Sequence, residues 1–409
     1  MAASSPIRCG PTGRGLDRGG ASSEYANPAP ATRGVVGFLL FGYTVSIMIW
    51  TILLFLLLLS VLVLVHEFGH YIAARKAGMT VEEFGIGFPP KVFSWKAKSG
   101  TTWSINAIPL GGFVRIKGES GEGADAPDSF ASKSWLRRFS VVIAGVVMNL
   151  VLAWFLFSVG FLFGLPAIVE DGVESGVTVT DRAINVVDVL PNSAADVSGL
   201  EVGDRVLTID GVAYDSGPTA REALRPHEDG SPLSMMIAHD GETKTVSVAP
   251  QYVEELGRAG VGVALVETGF VHYPWYLAPV MGAETTLRST WDVLSAFGGL
   301  IASVFRQEDV SANLSGPVGI AVLTGQVASL GISHLVQFAA MLSINLAVIN
   351  ILPFPALDGG RLVFLLYEVI RRKKASLKVE QTVHALGFAA LLLVVVIVTV
   401  KDIVHIFFN

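Results

Sequence analysis

Residues 50–76 read WTILLFLLLLSVLVLVHEFGHYIAARK, an apolar run that ends in the pentapeptide His66-Glu67-Phe68-Gly69-His70. No charged side chain occurs from 36 to 65. About 20 apolar residues suffice to cross a bilayer, so the run reads as a membrane-spanning helix. On a helix, residues four apart stand one above the other, and both imidazoles can then bind one zinc ion. A glutamate directly after the first histidine is the usual general base of metalloproteases built on this spacing. The bland alternative is a pair of histidines hydrogen-bonding between helices. Two His and a Glu in one turn of a membrane helix are hard to explain that way, because such groups are costly in hydrocarbon and face a protein interior or a wet cavity.

Working outward, 51% of the 409 residues are hydrophobic and 16% are charged, which suits a multi-pass membrane protein with a modest soluble part. The net charge of −6 and the lack of basic tracts with interleaved aromatics argue against nucleic acid as a partner. Cys9 is the single cysteine, so disulfides and thiolate metal ligands are excluded. Residues 1–34 are rich in Gly, Ser, Ala, Pro and Arg, and 1–44 are expected to be a disordered or interfacial extension. No short apolar stretch with a small-residue cleavage site fits a signal peptide before the long span.

Four transmembrane segments are expected, at 45–76, 135–165, 332–372 and 380–406. Either the first helix is strongly tilted or the start of its apolar run lies at the interface. Arg75, Lys76, Lys91, Lys96, Lys98, Arg115, Lys117, Arg137 and Arg138 lie between the first two spans, and Arg371, Arg372, Lys373, Lys374 and Lys378 between the last two. Positive charge favours the cytoplasmic side, so both connections belong there and the region between the second and third spans lies outside. His66 is then about 13 Å along the helix from the cytoplasmic boundary at Arg75. A third metal ligand has to come from another span at that depth. Asp358 is the one acidic residue in the stretch NLAVINILPFPALDGGR (345–361) of the third span. Pro353 and Pro355 break the helix just before it, and Gly359 and Gly360 let the chain turn closely past a metal. His66, His70 and Asp358 would leave a fourth zinc position for water. A helix N-cap is the plain alternative for Asp358.

HEFGH in the first span, the NxxPxPxLDGG stretch and the domain between them resemble the site-2 protease family of intramembrane zinc metalloproteases, in its regulator of sigma-E protease branch. The resemblance runs from about residue 50 to the C-terminus. It implies Zn2+ as cofactor, His66, His70 and Asp358 as its ligands and Glu67 as the catalytic base. Residues 84–118, with Gly85 and Gly87, are similar to the family's membrane-reentrant β-hairpin element, which pairs with substrate. Asn345 and Asn350 match asparagines that the family uses near the substrate. The family's Gly-Pro-x-x-Asn pattern in the second span reads Gly145-Val146-Val147-Met148-Asn149 here, so the proline is missing and Asn149 carries over as a substrate-binding candidate.

The residues support this reading independently. Trp103, Ile105, Phe113, Val114 and Ile116 alternate with polar positions, as in paired strands with a turn at Gly111-Gly112. A strand edge holds an extended peptide by main-chain hydrogen bonds. A simple cytoplasmic hairpin is the alternative. Asn149, Asn345 and Asn350 suit either an oxyanion donor or interhelical glue. GLEVGDRVLTIDG (199–211) and INVVDVLPNSAADVSGL (184–200) resemble a PDZ domain, which binds a substrate C-terminus by strand addition or acts here as a steric filter.

The expected fold class is a polytopic α-helical membrane protein with about four transmembrane helices. It carries a membrane-associated β-hairpin element at 77–134, an inserted extracytoplasmic PDZ-like α+β domain at 175–265 and an amphipathic region at 270–331. The expected function is cleavage of single-span membrane proteins, of the anti-sigma factor or remnant signal peptide type, in the lipid bilayer of the bacterial cytoplasmic (inner) membrane. The rival from another class is a membrane transporter or metal-sensing scaffold with a partner-binding PDZ domain. It calls for charged residues strung across the bilayer rather than gathered at one depth.

Overall fold

The computed structural model describes residues 30–409 except 120, 170–175, 215, 226–228, 230, 240–241, 254–257, 307–315, 374 and 409. Helix α1 runs Pro30–Lys76 and α2 runs Trp135–Phe163. Helix α1 thus begins inside the segment expected to be a disordered or interfacial extension, while 1–29 lie outside the described residues. From Ile49 on, α1 has an apolar surface that suits lipid. Leu53, Leu57 and Val61 are exposed, and the helix shows almost no polar face until His66.

Between α1 and α2 lie β1 (Val81–Lys96) and β2 (Thr102–Ile116). Each is bent on itself. Residues 91–96 pair antiparallel with 102–106, and 81–86 pair antiparallel with 112–116. Residues 83–86 also run beside 102–105 with numbers rising together, from Glu83↔Thr102 to Ile86↔Ile105. The first half of β1 is therefore an inner strand, and 112–116 form an edge. The chain does bend at Gly111, where φ is +82°, but the segments on either side do not pair with each other as the sequence suggested. The hairpin's base is packed on Ala74, Met79, Val81, Ile116 and Val141, which fixes the sheet against α1 and α2.

The domain after α2 is one antiparallel sheet in the order β3-β10-β4-β5-β6-β7. Its strands are β3 (Leu165–Ile168), β4 (Thr178–Val189), β5 (Arg205–Ile209), β6 (Leu233–His239), β7 (Glu242–Val248) and β10 (Val263–His272), with β8 (Gln251–Val253) and β9 (Arg258–Gly260) as a separate ribbon. Two short helices, α3 (Ala194–Val197) and α4 (Gly217–Ala223), cover a core that includes Val186, Ile209, Leu233, Met235, Ile237 and Val248. The sheet thus takes strands from both sides of the expected 175–265 interval.

Helices α5 (Ala278–Phe305), α6 (Pro317–Ser329), α7 (Ile332–Ile351), α8 (Asp358–Arg371) and α9 (Leu377–Phe408) complete the chain. Phe157, Ala278, Ala340 and Ile344 form the core where α2 packs on α5 and α7. The expected third span is two helices. Helix α7 stops at Ile351 and α8 starts at Asp358, with Pro353 and Pro355 in the break, because proline denies the backbone the N–H a helix needs. Among the described residues, four helices are long and apolar enough to cross a membrane, at Ile49–Lys76, Trp135–Phe163, Ile332–Ile351 and Leu377–Val404.

Candidate metal centre

Two elements bring the candidate ligands together: α1 supplies His66 and His70, and the first turn of α8 supplies Asp358. Nε2 of His66 lies 3.0 Å from Oδ2 of Asp358 and 3.1 Å from Nε2 of His70, which is itself 3.2 Å from the same carboxylate oxygen. Ligands in tetrahedral positions about 2.0–2.2 Å from zinc stand roughly 3.3 Å apart, so two imidazoles and a carboxylate at these spacings fit the ion. His66, His70 and Asp358 are the one such metal-binding group of His, Cys, Asp and Glu among the described residues.

The next layer of contacts orients the rings. Nδ1 of His70 sits 2.8 Å from the Val141 carbonyl, which leaves Nε2 as the lone-pair nitrogen that faces Asp358. Asn149, expected at the substrate, is fully buried instead, with its amide 3.3 Å from Nδ1 of His66. Its Oδ1 has no partner among the described residues. A half-turn of the amide points that oxygen at the ring N–H and satisfies both groups. The Ser343 hydroxyl donates to the Asn149 carbonyl, tying this point of α2 to α7.

Two glycines permit the assembly, and the sequence reading did not single them out. A Cβ at Gly145 would lie 2.4 Å from Nε2 of His70 and 2.6 Å from Cε1 of His66. One at Gly69 would lie 2.3 Å from the Ala144 carbonyl oxygen. The absent side chains let α2 lie directly on the imidazoles. The sequence signal was the small-residue match itself, Gly69 on one span and Ala144-Gly145 on the other.

Glu67 points to the sheet. Its Oε2 accepts the Val114 N–H at 3.0 Å, and Ser60 links Pro109 and Gly111 to the same helix face. The edge 112–116 therefore runs along α1 down to Glu67. Glu67, His70, Val114 and Asp358 share a cavity of 330 Å³. Of Gly85 and Gly87, expected to pair with substrate, Gly85 lies on the inner strand and Gly87 just past it, its carbonyl accepting from the Asn106 amide at 3.1 Å. Gly85 already faces Phe113 on one side and Ser104 on the other, so its main chain offers no free edge. Asn345 and Asn350 sit half-buried on α7, and among the described residues no hydrogen bond joins either to His66, His70 or Asp358.

The profile of peptidase family M50, the site-2 proteases, matches residues 54–394. The chain belongs to peptidase family M50. The match takes in α1 from Leu54, the sheet domain and the break before α8. Among M50 relatives, the zinc metalloprotease RasP of Geobacillus kaustophilus is 30% identical, with 86% of this chain and 97% of that one covered. The regulator of sigma-W protease RasP of Bacillus subtilis is 29% identical, covering 87% and 99%. A Clostridium perfringens relative reaches 36%, covering 85% and 97%. The PDZ domain of an SdrC-like protein from Listeria monocytogenes is similar to part of the chain at 22% identity, covering 22% of this chain and 92% of that one with a TM-score of 0.20. This M50 member is a zinc metalloprotease of the membrane, with four described helices long and apolar enough to cross it.

Proposed function

We propose that His66, His70 and Asp358 hold the zinc and that Glu67 is the general base of peptide-bond hydrolysis inside the bilayer. The observation that carries this reading is the shared cavity in which the Glu67 carboxylate lies beside His70 and Asp358 at the sheet edge. When bound, zinc lowers the pKa of a water and polarises the scissile carbonyl. Glu67 takes the proton from the attacking water and hands it to the departing amine. Val114 N–H holds Glu67 beside the strand edge, so proton transfer and substrate backbone share one line. The edge 112–116 accepts the unwound substrate as an added strand, which exposes carbonyls that a helix hides in its own hydrogen bonds.

The substrates are single-span membrane proteins of the anti-sigma factor or remnant signal peptide type, a reading that the sigma-W name of the Bacillus relative supports. The positive charges between spans put the metal centre toward the cytoplasm and the β3–β10 domain outside. That domain is PDZ-like and acts at the entrance, either by taking a substrate C-terminus or by excluding bulky ectodomains. Asn149 positions His66, and Asn345 and Asn350 face the path of the unwound substrate. The transporter alternative needs further charged groups through the bilayer. Among the described residues, His66, His70 and Asp358 gather at one level instead.

Glu67→Gln tests the reading. Purified variant should retain one zinc per chain by elemental analysis and lose cleavage of a model transmembrane peptide. Unchanged turnover removes Glu67 from the chemistry.

A further inference from the structure

The cavity at the metal centre has a neighbour. The first, of 330 Å³, holds Glu67, His70 and Asp358. The second, of 200 Å³, is lined by Arg138, Glu368, Glu380 and Asp125 with the apolar Phe130 and Phe364. The two cavities have two lining residues in common, Glu119 and Arg361. These two are an ion pair, Nη1 of Arg361 on Oε1 of Glu119. Arg361 lies one helical turn beyond Asp358 on α8, so both side chains stand on the same helix face. Several other charged groups around the two cavities are engaged, while Asp125 and Glu380 also line the second. Arg138 Nη2 holds Glu368 at 2.5 Å, Glu368 also accepts the Ala375 N–H at 3.2 Å, and Arg115 pairs with Glu83 at 3.6 Å.

Hydrolysis changes the charge in the first cavity. Water oxygen bonds to the carbonyl carbon, the C–N bond breaks, the amine gains a proton, and one fragment ends in a carboxylate. That carboxylate arises beside two others, Glu67 and Asp358. Glu67 and Asp358 repel it while the bound metal attracts it, and a guanidinium presents the planar bidentate match that can draw it off the metal. We propose that Arg361, at the boundary of the two cavities, receives the newly formed C-terminal carboxylate of the product by exchanging it for Glu119. At rest Glu119 keeps Arg361 neutralised. After the cut a second carboxylate competes for the same guanidinium, so the exchange responds to product rather than to substrate, which carries no charge at the scissile bond.

The inference rests on the His66–His70–Asp358 cluster being the hydrolytic centre. Its readout is binding rather than turnover, so it reports on Arg361 separately from Glu67. The fragment of a model transmembrane substrate that carries the new C-terminus is identified by mass spectrometry. It is then synthesised with a free carboxylate and with a C-terminal amide. Binding of both to full-length zinc enzyme is followed by fluorescence anisotropy. The acid form should bind more tightly than the amide, with metal and Arg361 both contributing. Arg361→Gln should cut that preference by roughly ten-fold at unchanged zinc content, as expected for one charge-assisted pair. Glu119→Gln should raise it by a similar factor, because Arg361 loses its resting partner. Arg361→Lys keeps the charge without the bidentate fork, so it should give an intermediate preference and stands in should Arg361→Gln lose its metal. An unchanged acid-to-amide ratio in the Arg361 variants overturns the proposal, and so does a fall in Glu119→Gln.

Discussion

Gly145→Ala is the sharpest probe of how the centre is assembled. The added methyl would lie 2.4 Å from Nε2 of His70 and 2.7 Å from Nε2 of His66, whereas ordinary contact begins at 3.4 Å. Something has to move by about 1 Å, and the obstacles are the two metal-facing nitrogens themselves rather than the free ends of flexible side chains. Metal–ligand distances tolerate about ±0.2 Å, so a displacement of that size breaks the coordination geometry. Misplacement of reacting groups by 1 Å costs on the order of 100-fold in rate. Overpacking of this kind also destabilises by about 1–3 kcal/mol, and that effect has to be separated from the loss of metal. Gly160→Ala on the same helix supplies the control. Its methyl would meet only the Leu165 side chain, at 2.6 Å, where β3 begins. Both variants should show a lowered thermal midpoint in detergent. Only Gly145→Ala should lose zinc by elemental analysis and cut a model transmembrane substrate on the order of 100-fold more slowly. Full zinc and undiminished cleavage in Gly145→Ala would refute the close packing of α2 on the imidazoles.

Asn149→Ala should weaken zinc retention against graded chelators by about 10–100-fold and leave KM unchanged, as a residue acting through His66 would. A raised KM at full zinc affinity would return Asn149 to the substrate. Asp128 ties the loop before α2 to the sheet through the Thr80 hydroxyl at 2.6 Å and Lys117 Nζ at 2.9 Å, and these hold its carboxyl down to about 2. A depressed folded-state pKa adds stability that is full above the unfolded value of about 4 and is lost as the pH falls through 2. The thermal midpoint of the wild type should therefore exceed that of Asp128→Asn near neutral pH, with the gap closing between about pH 4 and 2. A gap that survives at pH 2 contradicts the assignment.

What the chain disclosed in one dimension, and what it withheld, divide along a physical line. The break before Asp358 was legible because proline acts on its own backbone, whatever surrounds it. The approach of Asp358 to His66 and His70 followed from charge placement, since the basic loops set both groups at one depth. Gly145 and Asn149 were read only as part of a family motif, with Asn149 as a substrate-binding candidate, and the structure adds their close approach to the imidazoles. Their meaning lies in what sits across the helix interface, and no periodicity along α2 encodes the distance to His66. The bent sheet escaped for a related reason. Alternation announced strands in 101–117, but whether 102–106 or 81–86 would lie next to 112–116 depends on pairing between segments remote in sequence.

That last point changes where substrate recognition is sought. An inner strand has both sets of backbone groups committed, so Gly85 serves the sheet by letting the Phe113 ring lie where a Cβ would stand 2.3 Å away. Of the sheet's two edges, 91–96 and 112–116, it is the second that delivers an N–H, that of Val114, to Glu67. A peptide adding to that edge competes with Glu67 for donors on the same strand. Docking and catalysis are therefore coupled through the backbone: the strand that straightens the substrate also sets the position of the carboxylate proposed to activate water.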